Sequence, residues 1–355
     1  MKLAAALRFV AMVLIASSLL GASCGQDFLS VMPGVVNDPK NLSLRRGILS
    51  YGQSSLCAEM QRRSVPLRLR EGEPAIGRFY PTACFAQQLA NQNLFVQISG
   101  YGYAWTNLTK RMAFEANGSV EYDHDFQMDG STMYVYFRQQ TTSAVSFKTG
   151  LIEQPATAIV SNMPALPGGA SFADTFGNQI LKNEIARGFT VIRDDNGAVE
   201  FGLGLIEKGQ RPFSPYRVRD SGRVLYANDR TEIHQNQREY AGPFEVVGDD
   251  SALYITAQVE GAPAVDVLVV HRSPGDQWLQ AYTKQAAPTP LLSPANLDEP
   301  IAAGAVWKRV VRLPQGLYYV VFDNTAGAGR TEPTTFANDD RAALVSYAVE
   351  MGDAP

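Results

Sequence analysis

The sequence contains little histidine, cysteine or tryptophan, with three residues of each among 355. Histidine and cysteine supply many catalytic groups and transition-metal ligands, so their scarcity leaves few candidates for either role. The sequence also lacks a CxxC pair, a Walker loop and a G-x-S-x-G elbow. It therefore offers no motif for a paired-cysteine metal site, a P-loop nucleotide site or a hydrolase nucleophile. We predict no cofactor and no metal.

Clusters of one charge are also missing. Lys and Arg number 31 against 35 Asp and Glu, for a net charge of −4. Apart from Arg62-Arg63 and the nearby Arg68 and Arg70, no basic run stands out. Nucleic-acid binding depends on basic patches that neutralise phosphates, so nucleic acid is not expected as a partner. Hydrophobic residues make up 45% of the chain, enough apolar surface to exclude disorder along its whole length.

The longest apolar run lies near the N-terminus and is too short to span a bilayer. It covers residues 9–20, follows the basic residues Lys2 and Arg8, and is followed by small residues at 21–23. A positive region, an apolar region and a small-residue cleavage site in this order are typical of a secretory signal. We therefore predict that residues 1–23 are a signal peptide that is removed on export.

The end of this signal resembles the lipobox of bacterial lipoproteins. Leu20-Gly21-Ala22-Ser23-Cys24 carries small residues before a cysteine, although the family usually has Leu where this chain has Gly21. The resemblance implies that Cys24 is acylated with a palmitate-type chain and becomes the new N-terminus. Gly25 after the cysteine implies an outer-membrane location in the cell envelope. The membrane would then be a partner through the lipid, whereas cleavage by an ordinary signal peptidase after Ser23 is the alternative.

The other two cysteines are predicted to form a disulfide. If Cys24 carries lipid, Cys57 and Cys84 remain as an even pair in an oxidising compartment. Their bond would close a loop of about 28 residues and stabilise the fold by ~3 kcal/mol. The alternative is a reactive or metal-binding thiol, but no histidine is close in sequence to either cysteine.

The composition and the hydrophobic pattern predict a mainly β fold. Many Gly and Pro residues occur beside 15 Tyr and 17 Phe, as expected for turns between aromatic-rich strands. Residues 94–98 and 132–137 alternate in polarity as half-buried strands do. We divide the chain as follows: signal peptide 1–23, tether 24–45, N-terminal β domain 46–160, linker 161–171, α+β unit of a helix and a hairpin 172–241, C-terminal β-sandwich 242–325 and tail 326–355.

Two patterns define the later units. Phe172, Phe176 and Ile180 recur at a spacing of four residues and predict a helix over 172–188, followed by a hairpin over 189–203. Residues 313–324 resemble the closing strand of small β-sandwich modules on exported bacterial proteins. Because such modules are usually accessory, that resemblance implies a role other than catalysis here.

Aromatic residues are the main candidates for ligand binding. A set of five could line a groove for a sugar or an apolar ligand, since aromatic faces stack on both. The alternative, which we favour, is a strand face covered by another element. The five are Tyr101, Tyr103, Trp105, Tyr134 and Tyr136.

The three histidines give weak support for catalysis. His124 stands between two aspartates, but neighbouring strand residues point to opposite faces, so we predict a polar loop or strand end. His234 lies among amides and is predicted to be at the surface, and His271 is predicted to mark a strand end. The acidic clusters, including 123–130 and 194–197, are interpreted as turns rather than calcium loops.

The sequence thus predicts an exported, lipid-anchored envelope protein with a binding or structural role and an unknown protein or small-molecule partner. One alternative is a periplasmic or surface carrier or sensor with a small apolar or sugar ligand in an aromatic pocket. A second alternative is a hydrolase, which would require a His within hydrogen-bond reach of a Ser, an Asp or a metal in a cleft.

Overall fold

The structure, a computed structural model, describes residues 64–153 without 71 and 108, 186–333 without 195–198 and 218–221, and 342–355. It also describes residues 38, 40, 41, 43, 46, 57 and 61. The mainly β prediction is confirmed, because strands make up about 60% of the structure. The signal peptide, Cys24, the linker 161–171 and nearly all of the predicted helix over 172–188 lie outside the described residues, as does most of the tether.

The N-terminal half is one antiparallel sheet of seven strands that curves into a half-barrel. Each strand pairs with the next in the chain, and β4 and β5 form a long hairpin of 20 and 21 residues. The hairpin predicted over 189–203 is present as β6 and β7, and β6 continues this sheet beside β5. The strands are β1 Val65–Leu67, β2 Gly77–Gln88, β3 Leu94–Thr106, β4 Lys110–Asp129, β5 Thr132–Ile152, β6 Phe189–Arg193 and β7 Val199–Leu203.

The C-terminal half is a sandwich of two antiparallel four-stranded sheets, in the orders β13-β10-β15-β8 and β12-β11-β14-β9. One helix, α1, follows β11 and lies on the outer face of the second sheet. The elements are β8 Val224–Ile233, β9 Gln237–Val246, β10 Ser251–Glu260, β11 Ala264–His271, α1 Arg272–Lys284, β12 Leu297–Ala302, β13 Trp307–Arg312, β14 Gly316–Asn324 and β15 Ala343–Asp353.

Strand β11 shows how this sandwich is packed. Val265, Val267 and Val269 point between the two sheets into the main core, while Leu268 and Val270 point outward under α1. All five side chains are at most 1% exposed. Because both faces are covered, the strand is a continuous apolar run rather than an alternating one.

The sandwich includes strands on both sides of residues 242–325. β8 and the first half of β9 fall within the residues that the sequence grouped with the helix and hairpin, and β15 falls within the predicted tail. β15 lies between β10 and β8, with Val345 opposite Val259 on one side and Thr231 on the other. These pairings join residues about a hundred positions apart, so no local sequence pattern predicts them.

The helix α1 was not predicted, because Ser273-Pro274-Gly275 suggests a turn. The side chain of His271 caps its start by accepting a hydrogen bond from Ser273 N, and Pro is tolerated in a first turn. Trp278, Leu279 and Tyr282 form one buried face. Gly275 allows close approach to the sheet, since a Cβ there would lie 2.5 Å from the ring of Tyr319. In the described part of the chain, no helix has the length and apolarity needed to cross a membrane.

Candidate functional site

The predicted disulfide between Cys57 and Cys84 is present. Cys84 lies in β2, and Cys57 precedes the first strand of the half-barrel. The bond therefore ties the chain before the sheet to one of its long strands.

The five predicted ligand-binding aromatics are buried or half-buried in separate places. Tyr101 and Tyr103 of β3 join the cluster under α1, where Tyr103 packs edge-on against Tyr282 at 5.2 Å between ring centroids. Tyr134 and Tyr136 stack on each other in another small cluster, with Ile192 and Ile206. The five rings are therefore not brought together into one groove.

Trp105 is enclosed by side chains of the sandwich. Its indole stacks on the ring of His234, with 3.3 Å between centroids. The cavity beside it has a volume of about 10 Å³, which is enough for about one water molecule. Packing of the half-barrel on the sandwich fills this space, so the geometry gives the carrier hypothesis no support here.

A buried polar network joins the half-barrel to both sheets of the sandwich. Arg78 of β2 donates from Nε to Glu239 Oε1 at 2.5 Å and from Nη2 to the Tyr347 hydroxyl at 2.7 Å. Tyr103 donates its hydroxyl proton to Glu239 Oε2 at 2.9 Å. Burial and the Glu239 carboxylate raise the pKa of Tyr103 well above its usual value, so the phenol keeps the proton that it donates. The network fixes the orientation of the two halves.

The histidines lie outside any arrangement suited to hydrolysis among the described residues. His234, predicted at the surface, is 6% exposed and pairs through Nε2 with Glu232. His271 ends β11 as predicted and caps α1. His124 lies within β4 rather than in a loop. No group of three His, Cys, Asp or Glu side chains suited to a metal is found in the described ranges.

An open groove lies at one side of the sandwich, where the edge strand of each sheet is exposed. Its volume is about 550 Å³, within the range of roughly 300–1,000 Å³ that is usual for small-molecule sites. β12 forms one wall, β13 another, and the loop after β14 contributes Arg330. Most of its exposed lining is polar. The groove residues are Ala295, Asn296, Leu297, Asp298, Glu299, Pro300, Trp307, Arg309 and Arg330.

The indole of Trp307 lies in this groove and is held in place by neighbouring side chains. It is half-buried and packs against the sandwich core. Its Nε1 donates to Glu299 Oε2 at 3.3 Å, and the same oxygen forms an ion pair with Arg309, at 2.7 Å from Nε. The Arg309 guanidinium also lies 5.3 Å from the indole centroid. An aromatic face, a carboxylate and a guanidinium are therefore presented together.

A second ion pair lies in the groove between Asp298 and Arg330, with 3.7 Å from Oδ1 to Nε. Arg330 stands in a short Gly-rich loop that is fixed to the sheet below. Thr331 donates from its backbone N and its hydroxyl to Asp266 Oδ2, at 2.9 and 2.6 Å. Gly329 has a positive φ of +80°, and a Cβ there would lie 2.3 Å from the same carboxylate oxygen. Only Gly allows this approach, so the loop has a defined position.

The start of this loop is held by a buried ion pair. Arg238 donates from Nε to Asp323 Oδ1 at 2.7 Å and from Nη2 to the Thr325 hydroxyl at 2.8 Å. Burial raises the pKa of Asp323 to about 7, although Arg238 and Thr325 act to lower it. The carboxylate thus binds a proton more readily in the folded protein than in the unfolded chain.

Asp323 is expected to make stability fall as the pH rises. An unfolded aspartate has a pKa of about 3.9, so between about pH 4 and 7 the folded state holds a proton that the unfolded chain releases. The free energy of unfolding should therefore decrease as the pH rises through this window. Urea denaturation across the window should show a smaller decrease for Asp323→Asn than for the parent. An identical slope in both proteins would contradict this, and exposed Asp353→Asn is the control.

Comparisons with known proteins do not extend these observations. Neither a protein-family model nor a curated protein matches this chain. The function must therefore be argued from the site itself.

Sequence reasoning did not single out the groove residues. Asp298-Glu299 and Trp307-Lys308-Arg309 are short charged segments that resemble ordinary surface. The available signal was the position of Trp307, one of only three tryptophans, beside basic residues at the start of a strand. Arg330 is brought to them only by the fold.

Proposed function

We propose that this chain is an exported, lipid-anchored binding protein of the cell envelope, and that its ligand occupies the groove between β12 and β13. The observation that carries the proposal is Trp307, held half-exposed between Glu299 and Arg309 in an open cavity of about 550 Å³. A fixed aromatic face beside paired polar groups is suited to orienting a ligand.

The N-terminal sequence supports delivery to a membrane. Residues 1–23 have the order of a secretory signal, and Cys24 stands where lipoproteins are acylated. The described sheets begin at Val65, which leaves a stretch of chain between Cys24 and the half-barrel. Each buried acyl CH₂ would contribute about 0.8 kcal/mol to membrane attachment.

Binding without catalysis fits the position of the titratable groups. His234 is buried under Trp105 and His271 caps α1, and neither lines the groove. The groove carboxylates Asp298 and Glu299 are each paired with an arginine. Paired charges fix a surface for recognition, whereas general acid–base chemistry needs a group that is free to exchange a proton.

The lipid anchor is tested by Cys24→Ser. We expect the variant to lose acylation and to move from the membrane fraction to the soluble fraction, because no acyl chain would remain to partition into the bilayer. Intact-mass measurement of the mature parent should show acyl groups on residue 24. If the variant stays with membranes just as the parent does, the anchor is elsewhere. Gln277→Ala, an exposed change that leaves residue 24 and the disulfide intact, is the control for fractionation.

The binding role is tested through the fluorescence of Trp307. Trp105 and Trp278 are buried, so a collisional quencher such as acrylamide should act mainly on Trp307. We expect the low-molecular-mass fraction of a cell-envelope extract to protect this emission. Trp307→Phe should lose both the quenchable emission and its protection by the extract. Any change that remains in this variant would come from absorption of light by the extract. Without protection of the parent, the groove has no envelope ligand in that fraction and the proposal fails.

A further inference from the structure

We infer that the groove binds a neutral saccharide, with a sugar ring stacked on the indole of Trp307. This inference rests on the proposed function, since it names the ligand class of the same site. Four features of the groove support it: its aromatic surface, the arrangement of its polar groups, its charge balance and the character of the two strand edges.

The aromatic surface suits the apolar face of a pyranose. Trp307 is half-buried, with one part packed on the core and the rest facing the groove. Its Nε1 is already bonded to Glu299, and the Arg309 guanidinium lies over the ring at 5.3 Å from the centroid. A sugar ring would therefore pack on the part of the indole that Arg309 leaves exposed. Sugar C–H groups stack on an aromatic face, whereas a purely polar ligand gains little from it.

The polar groups are placed for a ligand with many hydroxyls. Glu299 and Asp298 are adjacent in β12 and point to opposite faces of that strand. Arg309 of β13 pairs with Glu299, and Arg330 of the loop after β14 pairs with Asp298. Carboxylate oxygens accept hydrogen bonds and guanidinium groups donate several in a planar fork. A hydroxyl can do both, so neighbouring hydroxyls of a sugar can bond to both members of an ion pair.

The charge of the groove favours a neutral ligand. Its lining contains two carboxylates, Asp298 and Glu299, and two guanidinium groups, Arg309 and Arg330, so the side-chain charges cancel. An anionic ligand stacked on Trp307 would lie beside Glu299, and a cationic ligand there would lie beside Arg309, each next to the group of opposite charge as well. Either would meet repulsion about as strong as its attraction.

The strand edges argue against an extended peptide. Peptides often bind by adding a strand to a sheet edge, which needs a regular row of free backbone donors and acceptors. β12 contains Pro300, which has no backbone N–H, and β13 carries exposed Lys308, Arg309 and Arg312. Proline and outward charges are the features by which edge strands resist such pairing.

The experiment uses soluble oligosaccharides of defined linkage. The mature protein is titrated with tetrasaccharides of β-1,4-glucose, α-1,4-glucose and β-1,4-N-acetylglucosamine, and with the neutral peptide Ala-Gly-Ser-Thr. We expect at least one tetrasaccharide to protect Trp307 from acrylamide and the peptide to have no effect. Affinities are then measured by calorimetry, because variants that lack Trp307 no longer give the fluorescence signal of the groove.

Variants assign the binding to the groove. Trp307→Ala should weaken binding at least about 10-fold, and Trp307→Phe, which keeps an aromatic face, should lose less. Glu299→Ala should also weaken it, because a hydroxyl acceptor is removed and Arg309 is released. Val310→Ala is the matched control. Val310 is exposed on the same strand but lies on the face opposite to Trp307, so the variant should bind the tetrasaccharide with the affinity of the parent protein.

The outcomes separate the two proposals. Protection by the envelope extract with none by any tetrasaccharide would overturn the saccharide assignment and leave the proposed function standing. Tetrasaccharide binding that is unchanged in Trp307→Ala would also overturn it, because the sugar would then lie elsewhere. No protection by the extract would remove the proposed function, and no protection by the tetrasaccharides either would remove this inference with it.

Discussion

Replacing Glu239 by Ala is expected to lower the free energy of unfolding by about 3–5 kcal/mol. Glu239 is 2% exposed and accepts hydrogen bonds from both Arg78 and Tyr103 across the junction of the two halves. Removing it leaves the Arg78 guanidinium buried without its counter-charge, and the Tyr103 hydroxyl without an acceptor. Chemical denaturation at neutral pH measures the loss.

Two further variants test whether the loss of stability comes from leaving the buried Arg78 charge without its partner. The double variant Arg78→Met/Glu239→Leu should recover much of the stability, since a buried ion pair is often replaceable by apolar residues of similar size. Glu73→Ala removes an exposed partner of Arg70, at 3.9 Å, and should change stability by less than about 1 kcal/mol. If Glu239→Ala lowers the free energy of unfolding no more than Glu73→Ala does, the junction of the two halves does not depend on this network.

Trp278→Ala is expected to destabilise the protein by a similar amount, about 3–5 kcal/mol. The Trp278 side chain is 0% exposed and fills the space between α1 and the outer face of the sandwich. Its indole packs edge-on against Tyr240 at 5.3 Å and donates from Nε1 to Thr289 O at 2.9 Å. Arg238 lies over the ring at 4.3 Å. The truncation removes all of these contacts and leaves a large cavity.

The same helix provides the control for this prediction. Gln277 is exposed on α1, and Gln277→Ala should change stability by less than about 0.5 kcal/mol. Trp278→Phe should fall between the two, because it keeps an aromatic ring but loses the bond to Thr289. Thermal and urea unfolding would reveal the order. Equal stability of Trp278→Ala and Gln277→Ala would show that α1 contributes little to the packed core.

Local patterns in the sequence predicted part of the fold well. The alternation over 94–98 and 132–137 gives strands β3 and β5, and the two runs around residues 194–197 give the β6–β7 hairpin. The even pair Cys57 and Cys84 gives the disulfide. Each of these signals depends on a short stretch of chain or on cysteine counting, which the sequence displays directly.

Other features had no local signal. The segment that forms α1 begins with Ser273-Pro274-Gly275, which also suits a turn, and it is helical because Trp278 and Tyr282 are covered by the sheet and the half-barrel. The alternation of Tyr101, Tyr103 and Trp105 in β3 shows that they share one face. It does not show that the sandwich covers that face.

The sequence by itself determined that this chain is mainly β and carries a disulfide, because turns, strand alternation and cysteine pairs are visible in it directly. The lipoprotein signal at its N-terminus stays a prediction. Only the tertiary structure decided which aromatic residues are buried and where a groove is open. Glu299, Trp307 and Arg330 come together through antiparallel pairings and a loop fixed to Asp266. Such contacts depend on the packing of whole sheets, and no single segment of the chain contains that information.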